Sequence, residues 1–219
     1  VSRPDFRLER DLQRQGIWPV AGIDEAGRGP LAGPVAAAAV ILDPKNLPRG
    51  LNDSKELTPA LREDLYEQIL LRAIAVSVAF ASAAEIDRVN IRQATFLAMR
   101  RAAHALSLAP RHLLIDGNDP PPRLSIPTTA IVKGDGSVAS IAAASIIAKV
   151  TRDRLMRRLC AHFPAYGFSR NAGYATATHR AAIARHGPCP YHRLSFSPFK
   201  LQASGPSTAI DEALLKTGH

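Results

Sequence analysis

The stretch Val20-Ala21-Gly22-Ile23-Asp24-Glu25-Ala26-Gly27-Arg28-Gly29-Pro30-Leu31-Ala32-Gly33-Pro34-Val35, continued by AAAAVIL to Leu42, decides the fold. Residues 20–23 and 35–42 are short apolar runs without polar alternation, the pattern of strands buried on both faces. The intervening GRGPLAGP has turn chemistry, so the segment predicts a hairpin at the start of a sheet. Outward from it, Thr58-Pro59 forms a cap and first turn, and apolar spacing at Leu61, Leu65 and Ile69 predicts a helix over 57–73. Alternation predicts a strand over 75–80, and helical spacing at Ala94, Leu97, Ala98 and Arg101 predicts one or two helices within 82–107. A short strand over 112–115 ends before Pro120-Pro121-Pro122, and 126–132 offers a weaker strand despite Pro127.

From residue 137 to about 162 the spacing predicts a long helix, capped by Ser137 or Asp135. Its first half is small (Ala142, Ala143, Ala144, Ser145), which suits a close approach to a sheet, and its second half is rich in arginine. Residues 163–199 are Pro/Gly-rich, with a short helix near 178–185, and read as an appendage. Strands interspersed with helices after a leading hairpin predict an α/β fold with a mixed central sheet. The expected organisation is a catalytic domain over 1–160, a substrate-binding appendage over 161–200 and a tail over 201–219 with a short helix at 209–216.

The chain of 219 residues is 46% hydrophobic, enough for one sizeable core without disulfides or a structural metal. Cys160 and Cys189 lack CxxC or Cys/His ligand spacing, which argues against zinc and fits a reducing compartment. The most apolar stretch, 69–84, is interrupted by Arg72 and too short to cross a bilayer, and the charged opening VSRPDFRLERDLQRQG is no secretory signal. A cytoplasmic protein with no membrane association is expected.

The 28 Lys/Arg exceed the 19 Asp/Glu by nine, and residues 151–200 hold nine basic side chains against Asp153 alone, hence +8 of the net +9. The same segment holds Phe163, Tyr166, Phe168, Tyr174, Tyr191, Phe196 and Phe199, seven of the twelve aromatics. Two readings stand: a surface for a polyanion with flat bases, or a solvated basic face with the aromatics packed beneath it.

Acids fall where predicted strands end. Asp24 and Glu25 close the first strand, Asp116 closes the strand 112–115, and Asp135 precedes the long helix. Ligands collect beyond strand ends in α/β sheets, so these acids could converge. Clustered carboxylates repel one another unless a cation neutralises them, and oxygen-only ligation favours Mg²⁺ or Mn²⁺. The bland alternative is that Asp116-Gly117 and Asp135-Gly136 make turns. Asp24 and Glu25, as strand neighbours, reach one site only if the strand bends. Metal-binding acids beside a basic, aromatic surface suggest phosphodiester cleavage. The rivals are a non-catalytic nucleic-acid-binding protein and a metal nuclease acting on plain DNA or single-stranded RNA.

The segment 22–35 matches residue for residue the opening signature of the bacterial ribonuclease HII family, which the chain resembles over most of its length. Further matches follow in order: Asp53-Ser54-Lys55 with Leu57, Ile115-Asp116-Gly117, Lys133-Gly134-Asp135, Ser140 to Ile146 with Ala148-Lys149-Val150 and Arg152-Asp153, Tyr166-Gly167-Phe168, Gly173-Tyr174, Thr176, His179, Gly187-Pro188, and His192-Arg193 with Ser195-Phe196. The resemblance implies a ribonuclease H-like fold with a small C-terminal helical appendage. It implies a monomeric endonuclease that cuts RNA in RNA–DNA hybrids and at single ribonucleotides embedded in duplex DNA, using Mn²⁺ or Mg²⁺ and leaving 5′-phosphate and 3′-hydroxyl ends. Carried over by position, Asp24, Glu25, Asp116 and Asp135 are the catalytic, metal-binding acids. Gly27-Arg28-Gly29 is the loop at the ribose 2′-hydroxyl, Tyr174 stacks on the neighbouring sugar, and Lys55, Ser145 and Lys149 are phosphate contacts, the last two at i and i+4 of the long helix. His179 and His192 are expected to serve structural hydrogen bonding. One departure stands out: Asn171-Ala172 replaces the family's usual His-Lys, removing a positive charge. The related ribonuclease HIII branch is disfavoured because its loop lacks the GRG form.

Overall fold

The computed structural model describes residues 3–199. Lys200, the tail and its expected helix lie outside the described residues. Five strands, β1 (Val20–Ala26), β2 (Val35–Ile41), β3 (Ala75–Ala81), β4 (His112–Asp116) and β5 (Thr128–Ile131), form one mixed sheet in the order β3-β2-β1-β4-β5. The hairpin is there, antiparallel, with Gly22 opposite Val40 and Ala26 opposite Ala36. β2 pairs antiparallel with β3, whereas β4 runs parallel to β1 and β5 parallel to β4. Pro127, just before the edge strand β5, still contributes its carbonyl, which accepts from the Leu113 N–H at 2.9 Å.

Helices α1 (Arg7–Arg14), α2 (Pro59–Arg72), α3 (Ala83–Val89), α4 (Ile91–His104) and α5 (Ala139–His162) surround the sheet. Every residue of β2 is buried, and the period of two divides it between two cores. Val35, Ala37, Ala39 and Ile41 meet Ala94, Ala98, Met99 and Ala102 of α4. Ala38 and Val40 meet Leu65 and Ile69 of α2 and the small face of α5. Thr58 caps α2 by accepting the Leu61 N–H at 3.3 Å, as its sequence predicts.

The expected cap of α5 is not there. Asp135 lies in a 3-10 turn (Gly134–Gly136), Ser137 bonds the Lys133 carbonyl at 3.2 Å, and the N-cap position is Val138 with no side-chain cap. The orphan Ser140 N–H instead donates to Glu9 Oε1 of α1 at 2.8 Å, a buried carboxylate delivered from far away in sequence. Beside it α5 crosses β1 at Gly22, where a Cβ would collide with the Ser140 backbone. The small residues of α5 permit that approach, and the glycine requires it.

Beyond α5 come a 3-10 turn (Pro164–Tyr166), α6 (Phe168–Asn171) and α7 (Ala177–His186). Their core is made of Tyr166, Phe168, Ile183 and Phe199 against Leu31 and Ala32 of the hairpin loop and Met156 and Leu159 of α5. Most aromatics of this segment therefore pack inward, and Tyr174 and Tyr191 are the ones exposed. At the centre lie two buried histidines, structural as expected. The Cys189 N–H donates to His192 Nδ1 at 2.9 Å, so the His192 proton is on Nε2, 3.1 Å from His179 Nε2. His179 Nδ1–H then donates to the Tyr174 carbonyl at 2.8 Å. Burial first, then the adjacent His179, lower the His192 pKa from 6.5 to about 4.

Gly22→Ala is expected to lower unfolding free energy by about 3 kcal/mol, because two backbones must separate to admit the methyl group; urea unfolding midpoints measure this. The histidine pair contributes stability that is present above its unfolded pKa near 6.5 and is lost as pH falls toward about 4. Melting temperatures across that window should fall less steeply for His192→Gln than for the unaltered chain, and parallel slopes would contradict the assignment.

Candidate active site

Three acids meet at one end of the sheet. β1 and β4 are parallel neighbours with Ile23 opposite Ile115, so Asp24 and Asp116 arrive side by side at successive strand positions. Asp135 comes from the 3-10 turn after β5, entered through Lys133 in the left-handed region at φ 55°. One carboxylate oxygen from each of Asp24, Asp116 and Asp135 lies within 4.8 Å of the other two. Asp116 Oδ1 also accepts the Gly134 N–H at 2.7 Å, which ties β4 to the turn bearing Asp135. The turn-forming and ligand readings of these aspartates are thus compatible.

Burial raises the Asp24 pKa well above the ordinary carboxylate value, and the charges of Glu25 and Asp116 raise it further. Asp116 is raised by burial and then by Asp135. A site that disfavours its own negative charge in this way fits a cation, and its hard oxygen donors, with no imidazole or thiolate, fit a divalent ion such as Mg²⁺ or Mn²⁺. Lys55 Nζ supplies part of the compensation, 3.0 Å from Asp135 Oδ2 and 3.6 Å from Asp53 Oδ1. Burial alone would lower the Lys55 pKa, but the bond to Asp135 and the surrounding carboxylates raise it.

Glu25 is not part of the three-oxygen group. Glu25 Oε1 accepts from Arg28 at 3.2 Å, while its side chain lines the same groove as Asp24 and Asp116. It remains close enough to Asp116 for that charge to count among the influences on its raised pKa, after burial and the opposing pull of Arg28.

A groove of about 360 Å³ runs from these acids along the GRG loop. All of the sequence-predicted residues except Asp135 line it, including Gly27, Arg28 and Gly29 on one side and Lys55, Ser145 and Lys149 on the other. Tyr174, 45% exposed, lines it beside the loop, about 3.9 Å from where a Gly29 Cβ would stand. Ser145 Oγ donates to Ser54 Oγ at 2.7 Å, and Lys149 Nζ bonds Asp153 at 2.9 Å. Ser54 and Asp153 are thus the partners that orient the two predicted phosphate contacts.

Two residues matter more than their sequence suggests. Arg152 and Arg193, 1% and 0% exposed, point inward and donate to backbone carbonyls of the hairpin loop and its neighbours. The basic run is therefore not one surface. Arg154 and Arg157 pair with Glu63, while Arg158, Arg170, Arg180 and Arg185 are the solvated part. Both fall in matched motifs, Arg152-Asp153 and His192-Arg193, but their burial could not be read there, because the carbonyls that hold them come from a loop far away in sequence. Asn171 and Ala172 likewise act locally: Asn171 bridges the Tyr166 carbonyl and the Gly173 N–H at 2.7 and 2.8 Å, holding the turn that presents Tyr174.

Residues 21–198 match the family model of ribonuclease HII. The chain is 61% identical over 197 residues to a ribonuclease HII of Sinorhizobium medicae, covering 90% of this chain and 91% of that protein. It is 60% identical over 198 residues to a ribonuclease HII of Brucella ovis, covering 90% of each. Its fold is similar to the crystal structure of ribonuclease H2 from Pyrococcus horikoshii, with a TM-score of 0.71 at 28% identity over 83% of this chain and 95% of that one. With the model spanning the acids, the groove and the appendage, the chain belongs to the ribonuclease HII family and is a ribonuclease H.

Proposed function

We propose that this endonuclease holds its divalent ion, Mg²⁺ or Mn²⁺, on Asp24, Asp116 and Asp135, and cuts both RNA–DNA hybrids and duplex DNA carrying a single ribonucleotide. The observation that carries this reading is the convergence of three carboxylate oxygens within 4.8 Å of one another beside a groove that the GRG loop and Tyr174 also line.

The chemistry that a bound ion supplies is activation of water and neutralisation of charge on the scissile phosphate, with 5′-phosphate and 3′-hydroxyl products. The protein's own part is to bind and to orient. Asp24 and Asp135, both buried, are held as ligands by the sheet and the 3-10 turn, while Lys55 offsets part of their charge. Glu25, lining the same groove, completes the acidic set from the adjacent strand position. Lys149 and Ser145, on one face of α5, turn toward the phosphates of the cut strand. Main-chain groups of Gly27-Arg28-Gly29 read the 2′-hydroxyl, and the Tyr174 ring stacks on the next sugar. The exposed arginines of 161–200 hold the duplex backbone, in keeping with the role of that segment as a substrate-binding appendage. The groups of the groove come together within a single copy of the chain without a partner's help, which supports a monomeric enzyme. Two free thiols, Cys160 and Cys189, suit it to the cytoplasm.

Duplex DNA with one ribonucleotide should be nicked in Mg²⁺ or Mn²⁺ and left intact in excess chelator, with an all-DNA duplex uncut throughout. Asp24→Asn and Asp116→Asn should each lower turnover by about 10³-fold or more while hybrid binding stays measurable in a gel-shift assay. Near-normal turnover would remove that residue from the metal site. Tyr174→Ala should reduce cleavage of single-ribonucleotide substrates more than that of long hybrids, and equal losses would contradict a role at the junction.

A further inference from the structure

Arg193 is fully buried, and its three donor nitrogens bond three carbonyls of one loop. Nη2 donates to Gly27 O at 2.6 Å, Nη1 to Arg28 O at 2.8 Å and Nε to Gly33 O at 2.9 Å. The guanidinium lies 5.1 Å over the Phe196 ring, and no carboxylate forms an ion pair with it among the described residues. A charge removed from water and hydrogen-bonded to main-chain carbonyls, with the Asp87 carboxylate acting on it without a direct bond, is an expensive way to hold a turn. What it achieves follows from peptide geometry.

In a trans peptide the C=O of one residue and the N–H of the next point in opposite directions. With the Gly27 and Arg28 carbonyls drawn inward to Arg193, the N–H groups of Arg28 and Gly29 must face away from it, toward the groove that both residues line. Neither N–H has a hydrogen-bond partner among the described residues. Two free donors are thereby turned to the groove that Tyr174 also lines, and the planar fork of arginine is what fixes two adjacent peptides at once. The neighbouring Arg152 grips Ala32 O, Pro34 O and Ala172 O, so it holds the loop's second half and the Tyr174 turn but neither of these two peptides.

We infer that Arg193 is a positioning residue that determines ribose specificity, orienting the Arg28 and Gly29 N–H groups to donate to a 2′-hydroxyl oxygen. The inference rests on the reading of the GRG loop and Tyr174 as the sugar site. It predicts that Arg193 acts on discrimination between sugars and not on general affinity for the duplex.

The test measures equilibrium binding without divalent ions of two duplexes, one all-DNA and one with a single ribonucleotide, to the full chain and to Arg193→Lys, Arg193→Met and Tyr174→Ala. Arg193→Lys keeps the charge but not the fork, and Arg193→Met keeps the packing on Phe196 should a lysine not be tolerated there; circular dichroism and melting curves establish that each is folded. A folded Arg193 variant should lose about tenfold of the preference for the ribonucleotide duplex, the loss expected for one or two hydrogen bonds, with all-DNA binding within about twofold of the unaltered chain. A merely structural role would weaken both duplexes together, and that result, or an unchanged preference, overturns the inference. Loss of preference in Tyr174→Ala without loss in the Arg193 variants overturns it while sparing the sugar-site reading. An unchanged preference in Tyr174→Ala and in the Arg193 variants together overturns both.

Discussion

Between Gly22 and Ser140 there is no room for a side chain, and the active site is arranged around that contact. Asp24 lies two residues beyond the glycine on β1, Asp135 lies five residues before the serine, and Ser145 and Lys149 follow on the same helix. Bringing α5 down onto β1 therefore sets the spacing of two acids and two groove residues together. Cores of alanine on β2 and on the first half of α5 exist for the same reason: larger side chains would lift the helix from the sheet. A close backbone approach, made from small residues, thus does the positioning that catalytic side chains cannot do for themselves.

The electrostatics divide by depth. At the strand ends, burial and mutual repulsion raise the pKa values of Asp24 and Asp116, and Lys55 offers a partial counterweight. Around the appendage, exposed arginines form a field of the opposite sign. The deepest positive charges, Arg152 and Arg193, belong to neither group, since both are spent on backbone carbonyls of the loop between β1 and β2. Net charge along the sequence consequently overstates the basic surface available to a duplex.

Much of the fold was legible because its signals are local. The hairpin, the Thr58 cap and the period of β3 each show in a few adjacent residues, and the structure has them within a residue or two. The convergence of Asp24, Asp116 and Asp135 was legible at one remove, from strand ends in a parallel arrangement. Harder to see was the cap of α5, because Glu9 reaches it from the first helix and no nearby residue announces the bond. The aromatics of 163–199 were ambiguous for a similar reason: whether Phe168 faces a base or a core depends on Leu31 and Met156, far away in sequence. Glu25, next to Asp24 on β1, lies outside the three-oxygen group yet lines the same groove, a placement that spacing alone does not decide.

The Glu9 contact also bears on how the molecule comes into being. Asp5 N–H donates to the Ser137 carbonyl and Asp5 O accepts from Ala139 at 2.9 Å, so the first helix and its leading residues latch onto the start of α5 by three bonds. A nascent chain can pair β1, β2 and β3 as soon as they leave the ribosome, because those partners are close in sequence. The latch cannot close until residue 140 has emerged. Asp24 and Asp116 can meet once β4 pairs with β1, whereas Asp135, five residues before Ser140, takes its place beside them only as the start of α5 is made and latched.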